Sequence, residues 1–250
     1  MKATIIIPAR YGSTRFPGKP LAKINGKEML HRVWLIAKTV KGVDDVYVAT
    51  DDERIFQQVE RFGGKAVMTN PECANGTART LDALEKLKIK PDVAINLQGD
   101  AVLTPPWVIS ELIEAMSGDK EIKIATPAIK LNKGQQVGGT MVVFDQNKNA
   151  LYFSKAVIPF KRETSTEKDP SLHRHIGIYA YRYETLKKMV SLKPTPLEET
   201  EKLEQLRALE NGIPIKVVLV DYKGRTHWSV DKPEDVKIVE DIIKKEGELV

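Results

Sequence analysis

The 250-residue sequence predicts an α/β fold in which a mostly parallel central sheet carries helices on both faces. In its first half, short apolar stretches alternate with stretches of helical period, as they do in βαβ units. Two strands separated by a helix pair in parallel, so this alternation predicts parallel pairing. From about Ile122 the strands follow one another with polar connections between them, which predicts a smaller mixed or antiparallel extension.

The elements follow in chain order. In the first half, the predicted strands, each with the helix after it, are 4–8 with 29–39, 46–50 with 53–62, 66–69 with 78–87, and 93–97 with 107–116. In the second half, the predicted elements are strands at 122–131, 141–144, 151–153 and 176–181, a helix at 203–210, a strand at 215–220 and a helix at 233–245. Two capping boxes predict helix starts, Thr50 with Glu53 and Asp231 with Glu234. Without a long linker or a repeat, residues 1–250 are predicted to form a single domain.

Composition narrows the classes of partner. The net charge is +5, but the cations are spread along the chain, which favours a small phosphorylated ligand and argues against nucleic acid. The only cysteine, Cys73, excludes an intrachain disulfide and a multi-cysteine zinc site, and fits a cytoplasmic protein. No apolar run approaches the roughly 20 residues of a membrane span, so no membrane partner is expected.

The first strand runs into a basic loop in the stretch IIIPARYGSTRFPGKPL. The turn after the first strand of a parallel sheet commonly holds phosphates. Arg10, Arg15 and Lys19 can surround a polyphosphate there, and Gly12 and Gly18 let the backbone approach it. The spacing matches neither the P-loop nor the dinucleotide fingerprint. A triphosphate site is therefore predicted, with a solvated basic loop as the alternative.

Two carboxylates are candidate metal ligands. Asp100 follows a buried strand, where a carboxylate suits Mg²⁺, and the preceding Gln98 and Gly99 favour a ligand site. A role for Asp100 in capping or in bracing a turn is the alternative. Asp231 is fully explained as a helix N-cap by its capping box, although a cap at the mouth of the same cleft could also offer oxygen to a metal.

Taken together, several segments resemble the 3-deoxy-manno-octulosonate (Kdo) cytidylyltransferases, the CMP-Kdo synthetases. The resemblance runs in order from about residue 2 to residue 245. It is carried by IIPARYGSTRFPGKPL, VYVATDDERI, GGKAVMT, NGTART, INLQGD, ALYFSKAVIPF, HIGIYAYR, LEQLRALENG and SVDKPEDV.

The resemblance implies a GT-A-like nucleotidyltransferase that couples CTP to a 2-keto-3-deoxy sugar acid, giving a CMP-sugar and pyrophosphate for lipopolysaccharide or capsule synthesis. It implies Arg10, Lys19 and Asp100 as catalytic residues, and Mg²⁺ on Asp100 and Asp231. The implied nucleotide-binding residues are Pro8, Ala9, Arg10, Ser13, Arg15, Lys19, Gly76, Arg79 and Gln98. The implied sugar-binding residues are Gln98, His175, Tyr179, Glu204 and Gln205. It further implies a homodimer formed through an extension at 121–183, which also contributes to the sugar pocket.

Several positions depart from the family pattern. Ala78 replaces an aspartate, Ala101-Val102 replace a glutamate-proline pair, and Lys155 replaces an arginine that could bind a carboxylate through two hydrogen bonds. Three interpretations follow: a cytidylyltransferase reshaped for an acid such as an amino-substituted Kdo, a transferase for another nucleotide or acid, and a weakly catalytic regulator. The joint presence of phosphate and metal residues favours the first. For His175, a structural role is the alternative to sugar binding.

Overall fold

The computed structural model describes residues 1–131, 138–162 and 171–250. Within these ranges ten strands form one mixed sheet. Its parallel half has the order β5-β4-β1-β6, and its strands are β1 (Ala3–Ala9), β4 (Asp45–Thr50), β5 (Lys65–Met68) and β6 (Val93–Asn96). A small antiparallel hairpin of β2 (Lys23–Ile24) and β3 (Lys27–Glu28) lies apart from it. The predicted parallel core is confirmed.

The extension continues the same sheet beyond β6 in the order β11-β7-β10-β8-β9, with β12 parallel to β7. Its strands are β7 (Ile124–Lys130), β8 (Met141–Phe144), β9 (Ala150–Ser154), β10 (His173–His175), β11 (Tyr179–Arg182) and β12 (Ile215–Leu219). β11 pairs antiparallel with both β6 and β7 and so joins the two halves. The extension therefore adjoins β6 through β11.

Helices cover both faces of the sheet. They are α1 (Met29–Lys38), α2 (Glu53–Arg61), α3 (Gly76–Lys86), α4 (Pro106–Gly118), α5 (Tyr183–Ser191), α6 (Pro196–Glu201), α7 (Gln205–Glu210) and α8 (Pro233–Glu246), and a single 3-10 turn spans Lys19–Leu21. In the described part of the chain, no helix is both long and apolar enough to cross a membrane.

The run of isoleucines in β1 explains why both faces need helices. Ile5 and Ile7 belong to the hydrophobic cluster that includes residues of α1, α2, α4 and α8, whereas Ile6 belongs to the cluster with residues of α3, α5 and α7. All three side chains are fully buried. A strand that is covered on both sides reads as a continuous apolar run, and this is the sequence pattern that predicted its central place.

Both predicted capping boxes are wrong in detail. The N-cap of α2 is Asp52, whose carboxylate accepts a hydrogen bond from the Arg54 amide, and not Thr50. The N-cap of α8 is Lys232, and not Asp231. The Asp235 carboxylate accepts hydrogen bonds from the amides of Asp231 and Lys232, both at 2.8 Å. The Asp231 side chain is therefore not needed to start the helix.

The structure also shortens the strand predicted at 176–181, whose residues 176–178 form a turn, and places a separate strand, β10, before it. β10 ends at His175 and β11 begins at Tyr179, because the Ile178 amide bonds to the Ile176 carbonyl in a tight turn instead of to a neighbouring strand. Helices α5 and α6 were not predicted. The helix predicted at 203–210 begins two residues later, at Gln205.

Candidate active site

A cleft of about 500 Å³ lies at the carboxyl ends of the parallel strands. Its walls come from the segment after β6, the start of α3, the turn between β10 and β11, the start of α7 and the segment before α8. The predicted site residues that line it are Gly76, Gln98, Asp100, His175, Tyr179, Glu204, Gln205 and Asp231. Residues from distant parts of the sequence thus converge where ligands bind in open α/β sheets.

The basic loop after β1 is closed by its own backbone. The Tyr11 carbonyl accepts hydrogen bonds from the amides of Ser13 and Gly18, each at 2.9 Å. Gly18 has a φ of 70°, a conformation that favours glycine, and the Tyr11 ring lies close above it. Arg10 and Arg15 are exposed on this loop, so their charges face solvent and any incoming ligand.

A residue that sequence analysis missed anchors the same loop. The Arg54 guanidinium lies 3.4 Å from the centre of the Tyr11 ring, a cation–π contact. Asp52 orients Arg54 by accepting its Nε and Nη2 hydrogen bonds at 2.9 and 2.6 Å. No local motif signals this contact, because Tyr11 and Arg54 meet only when β1 and β4 pair.

Two loop cations bind the two candidate metal carboxylates. Lys19 Nζ donates hydrogen bonds to Asp100 Oδ2 at 2.5 Å and to the Val230 carbonyl at 2.6 Å. Arg15 Nη2 donates to Asp231 Oδ1 at 3.1 Å. The basic loop after β1 and both carboxylates are therefore in direct contact.

Four side chains form a hydrogen-bonded chain across the cleft floor. Gln98 donates to Asn96 at 2.9 Å, Asn96 donates to Thr77 Oγ1 at 3.4 Å, and Thr77 donates to Glu204 Oε2 at 3.0 Å. Burial raises the pKa of Glu204. The chain links β6, α3 and the turn before α7, and it fixes the orientation of Gln98 and Glu204. Asn96 was not predicted as a site residue.

The end of β1 and the start of α3 pack closely around Gln98. A Cβ atom on Gly76 would lie 3.2 Å from both Gln98 Nε2 and the Pro8 ring. Ala9, the last residue of β1, is buried beside Pro8. A side chain at position 76 therefore requires Gln98 or Pro8 to shift by a few tenths of an ångström.

We expect Gly76→Ala to raise KM for the nucleotide about fivefold, because relief of this contact displaces Gln98 at a cost of about 1 kcal/mol. Steady-state kinetics would measure the change. Gly118→Ala is the matched control, because nothing lies within 4 Å of the Cβ position there. Equal effects of the two substitutions would contradict the packing argument.

The hydrogen bonds of His175 define its tautomer. Thr126 Oγ1 gives its proton to the Ile178 carbonyl at 2.8 Å and lies 2.9 Å from His175 Nε2. His175 Nε2 is therefore the protonated nitrogen, and Nδ1 is the acceptor. Burial, with smaller contributions from His227 and Lys155, lowers the pKa of His175 to about 3. The ring is thus neutral, and Tyr179 lies beside it at 5.4 Å between ring centres.

The buried neutral histidines give the fold a predictable acid sensitivity. Burial, followed by the charge of Arg174, lowers the pKa of His227 to about 4. The unfolded chain binds these protons near pH 6.5 and the folded chain does not, so the free energy of unfolding falls as the pH drops below 6.5. We expect a loss of about 1.4 kcal/mol per pH unit for each histidine, measured by urea denaturation between pH 7 and pH 4.5. If the free energy of unfolding of His175→Asn depended on pH as steeply as that of the unsubstituted protein, this assignment would be contradicted.

The predicted nucleotide residue Arg79 lies outside the cleft lining. It is buried, and its guanidinium donates hydrogen bonds to Thr69 at 2.6 Å and to Asp51 at 2.7 Å. These partners follow β5 and β4, so Arg79 fixes α3 to the ends of two parallel strands. Contact of Arg79 with a nucleotide stays a prediction.

Two of the departures from the family pattern, Ala101 and Lys155, line the cleft, whereas Ala78 and Val102 do not. Lys155 Nζ donates a hydrogen bond to Thr140 Oγ1 at 2.9 Å. Asn75, at the start of the altered motif, caps α3 by accepting from the Ala78 amide. Burial raises the pKa of the Cys73 thiol, which opposes reactivity.

These features define a nucleotide-binding transferase: an α/β sheet whose first loop brings cations to carboxylates at the strand ends. A family model described as Cytidylyltransferase matches residues 4–217, and the chain belongs to that family.

Within this family, the chain is similar to proteins that are named for their substrates. The chain is 54% identical to the 3-deoxy-manno-octulosonate cytidylyltransferase of Maricaulis maris over the full length of both. It is 47% identical to the 8-amino-3,8-dideoxy-manno-octulosonate cytidylyltransferase of Shewanella halifaxensis, over 96% of this chain and 98% of that protein. A solved CMP:2-keto-3-deoxy-manno-octonic acid synthetase complexed with CTP superposes with a TM-score of 0.89 at 38% identity, over 98% of this chain and 100% of the other. The family resemblance and the predicted fold class are confirmed.

Proposed function

We propose that this protein is a cytidylyltransferase that joins CTP to Kdo or a close 2-keto-3-deoxy relative. A hydroxyl oxygen of the acid bonds to the α-phosphorus, the bond from that phosphorus to the bridging oxygen breaks, pyrophosphate leaves, and the hydroxyl proton is lost. The observation that carries the proposal is the contact of Lys19 and Arg15 with Asp100 and Asp231 at the edge of the cleft. The names of the similar proteins supply the substrate class.

The phosphate-binding role falls to the loop after β1. Arg10, Ser13, Arg15 and Lys19 surround the triphosphate, and Lys19 neutralises the charge that develops on the leaving pyrophosphate. This assignment is supported by the two hydrogen bonds that fix the Lys19 ammonium, since a preorganised cation stabilises developing charge without reorganising.

Asp100 and Asp231 are the proposed Mg²⁺ ligands. Both are oxygen donors in one cleft, and Asp231 is not engaged in capping α8, which fits a hard divalent cation that also uses phosphate oxygens. Across the described ranges, no group of three or more acidic, histidine or cysteine side chains could hold a metal ion. When bound, Mg²⁺ neutralises phosphate charge and polarises the α-phosphorus.

The acceptor end of the cleft is assigned to the sugar acid. Gln98 and Glu204 are held in orientation by their hydrogen-bonded chain, His175 presents an acceptor nitrogen, and Tyr179 and Gln205 complete the wall. Donors and acceptors of this kind read hydroxyl groups.

Two alternatives have specific support. An amino-substituted acid is favoured by the altered positions Ala101 and Lys155 and by the names of the Shewanella relatives. Another nucleotide or acid remains the second candidate function. A regulator without catalysis is disfavoured, because the phosphate and carboxylate residues converge at one cleft.

A homodimer is the proposed assembly, formed through the extension at 121–183. Its support is the exposure of three apolar side chains on and after β9: Leu151, Val157 and Phe160, the last 85% exposed. A role in lipopolysaccharide or capsule synthesis and a cytoplasmic location are proposed from the resemblance to the Kdo cytidylyltransferases.

The test is pyrophosphate release with each of the four ribonucleoside triphosphates against a panel of 2-keto-3-deoxy sugar acids, with Mg²⁺ present. We expect CTP to be preferred and Kdo or an 8-amino analogue to be the best acid. A preference for UTP or GTP would contradict the cytidylyl assignment. Release that does not depend on any acid would point to hydrolysis.

A further inference from the structure

Three cavities meet at His227 and Arg174. The first is the cleft already described. The second is a cavity of about 580 Å³ between β7 and the segment after β12, lined in part by Tyr222 and Trp228. The third, about 350 Å³, reaches towards Arg15 and Asp231. A side chain at such a junction is placed to contact whatever extends from one cavity into another.

His227 carries a buried nitrogen without a hydrogen-bond partner. Its Nδ1 atom is inaccessible to solvent and has no donor or acceptor in reach among residues 1–131, 138–162 and 171–250. Buried polar atoms are nearly always paired, so an unpaired one inside a site points to a group supplied by a ligand. His227 lies in the stretch RTHWSVD, which ends at the candidate metal ligand Asp231.

The surroundings of His227 place it at the acceptor end. Lys155, Thr140 and His175 line the same cleft. The Tyr222 ring supports the imidazole edge-on at 5.6 Å between centres. His227 also lines the third cavity with Arg15 and Asp231, whose side chains are already hydrogen-bonded to each other.

The chemistry of the ring fits a hydroxyl group in either tautomer. A neutral imidazole offers one donor and one acceptor nitrogen, and a hydroxyl can satisfy either. A carboxylate can only accept a hydrogen bond, and an ammonium can only donate one. An ammonium would also be repelled by the Arg174 guanidinium, which lines the same cavities.

We infer that, when the acid binds, the His227 ring shifts so that Nδ1 is exposed to the cleft and hydrogen-bonds a hydroxyl of the acceptor sugar acid, and that His227 thereby helps to determine which acid is used. This rests on the proposed cytidylyltransferase function. The residue acts on acceptor binding and not on the nucleotide or the metal.

The test uses three substitutions that separate the nitrogens of the ring. His227→Phe keeps the ring and removes both nitrogens, His227→Asn places an amide near the Nδ1 position, and His227→Gln places one near Nε2. We expect the Phe and Gln variants to raise KM for Kdo about fivefold to tenfold, the scale of one neutral hydrogen bond. We expect Asn to restore KM to within about twofold, and KM for CTP to change less than twofold in all three. His173→Phe, on β10 outside the cleft, is the control.

A second measurement does not depend on the variants folding. In the ¹⁵N spectrum of the unsubstituted protein, we expect the His227 Nδ1 signal to shift when Kdo is added with CTP and not with CTP alone. Equal changes in KM for Kdo and in KM for CTP would overturn the inference. A His227→Phe variant with an unchanged KM for Kdo, together with no ¹⁵N shift, would also overturn it. If the unsubstituted protein releases no pyrophosphate with any acid, the proposed function fails; a ¹⁵N shift on adding Kdo would then still support acceptor binding at His227.

Discussion

Asp100→Asn is expected to lower kcat about 1,000-fold, the largest effect of any single substitution in the cleft. The asparagine keeps the size of the side chain and loses the charge that a metal ion requires, and loss of about 4 kcal/mol of transition-state stabilisation corresponds to this factor. The fold is expected to persist, because Lys19 keeps its hydrogen bond to the Val230 carbonyl. Pyrophosphate release at saturating substrates measures the effect.

The matched control is Asp241→Asn, which removes an exposed carboxylate from α8. It is expected to leave kcat unchanged. Turnover of Asp100→Asn within tenfold of the unsubstituted protein, with its melting temperature preserved, would assign Asp100 to bracing Lys19 alone.

Lys19→Met is expected to lower kcat about 100-fold with little change in KM for the sugar acid. Removal of one preorganised donor to a developing negative charge costs about two to three decades in rate. The substitution also releases Asp100 from its ion pair, so metal binding is not expected to weaken. Added Mg²⁺ should therefore fail to restore turnover.

Lys23→Met, at an exposed position on β2, serves as the comparison for Lys19. Equal losses in kcat and in acid binding for Lys19→Met, or full rescue by Mg²⁺, would show that Lys19 positions the carboxylate and does not stabilise the leaving group.

The fold was predictable where periodicity reports burial directly. The isoleucine run of β1 and the helical period of α1 to α4 are consequences of a sheet covered on both faces, so they predicted these elements closely. The sequence also indicates the start of α6, through a capping box of Thr195 and Glu198 with Pro196 in the first turn, although α6 was not predicted. α5 has none, because Tyr183 starts the helix directly after β11 ends at Arg182.

The site was predictable as a set of residues but not as a set of contacts. Local patterns predicted Lys19, Asp100 and the strand end at Gln98. The capping box at Asp231 gave a wrong helix cap, because Asp235 instead accepts the amide hydrogen bonds there. The supporting contacts of Arg54 with Tyr11, and of Asn96 with Thr77, join residues far apart in sequence and depend on strand pairing, which no local pattern encodes.

The most direct measurement follows labelled phosphorus from CTP when the protein is incubated with Mg²⁺ and Kdo. If the protein is a cytidylyltransferase, label at the α-phosphate appears in the sugar product, label at the γ-phosphate appears in pyrophosphate, and the two products form in equal amounts. Appearance of the γ-label in the sugar product, or of the α-label only in free CMP while Kdo is not consumed, would contradict the assignment.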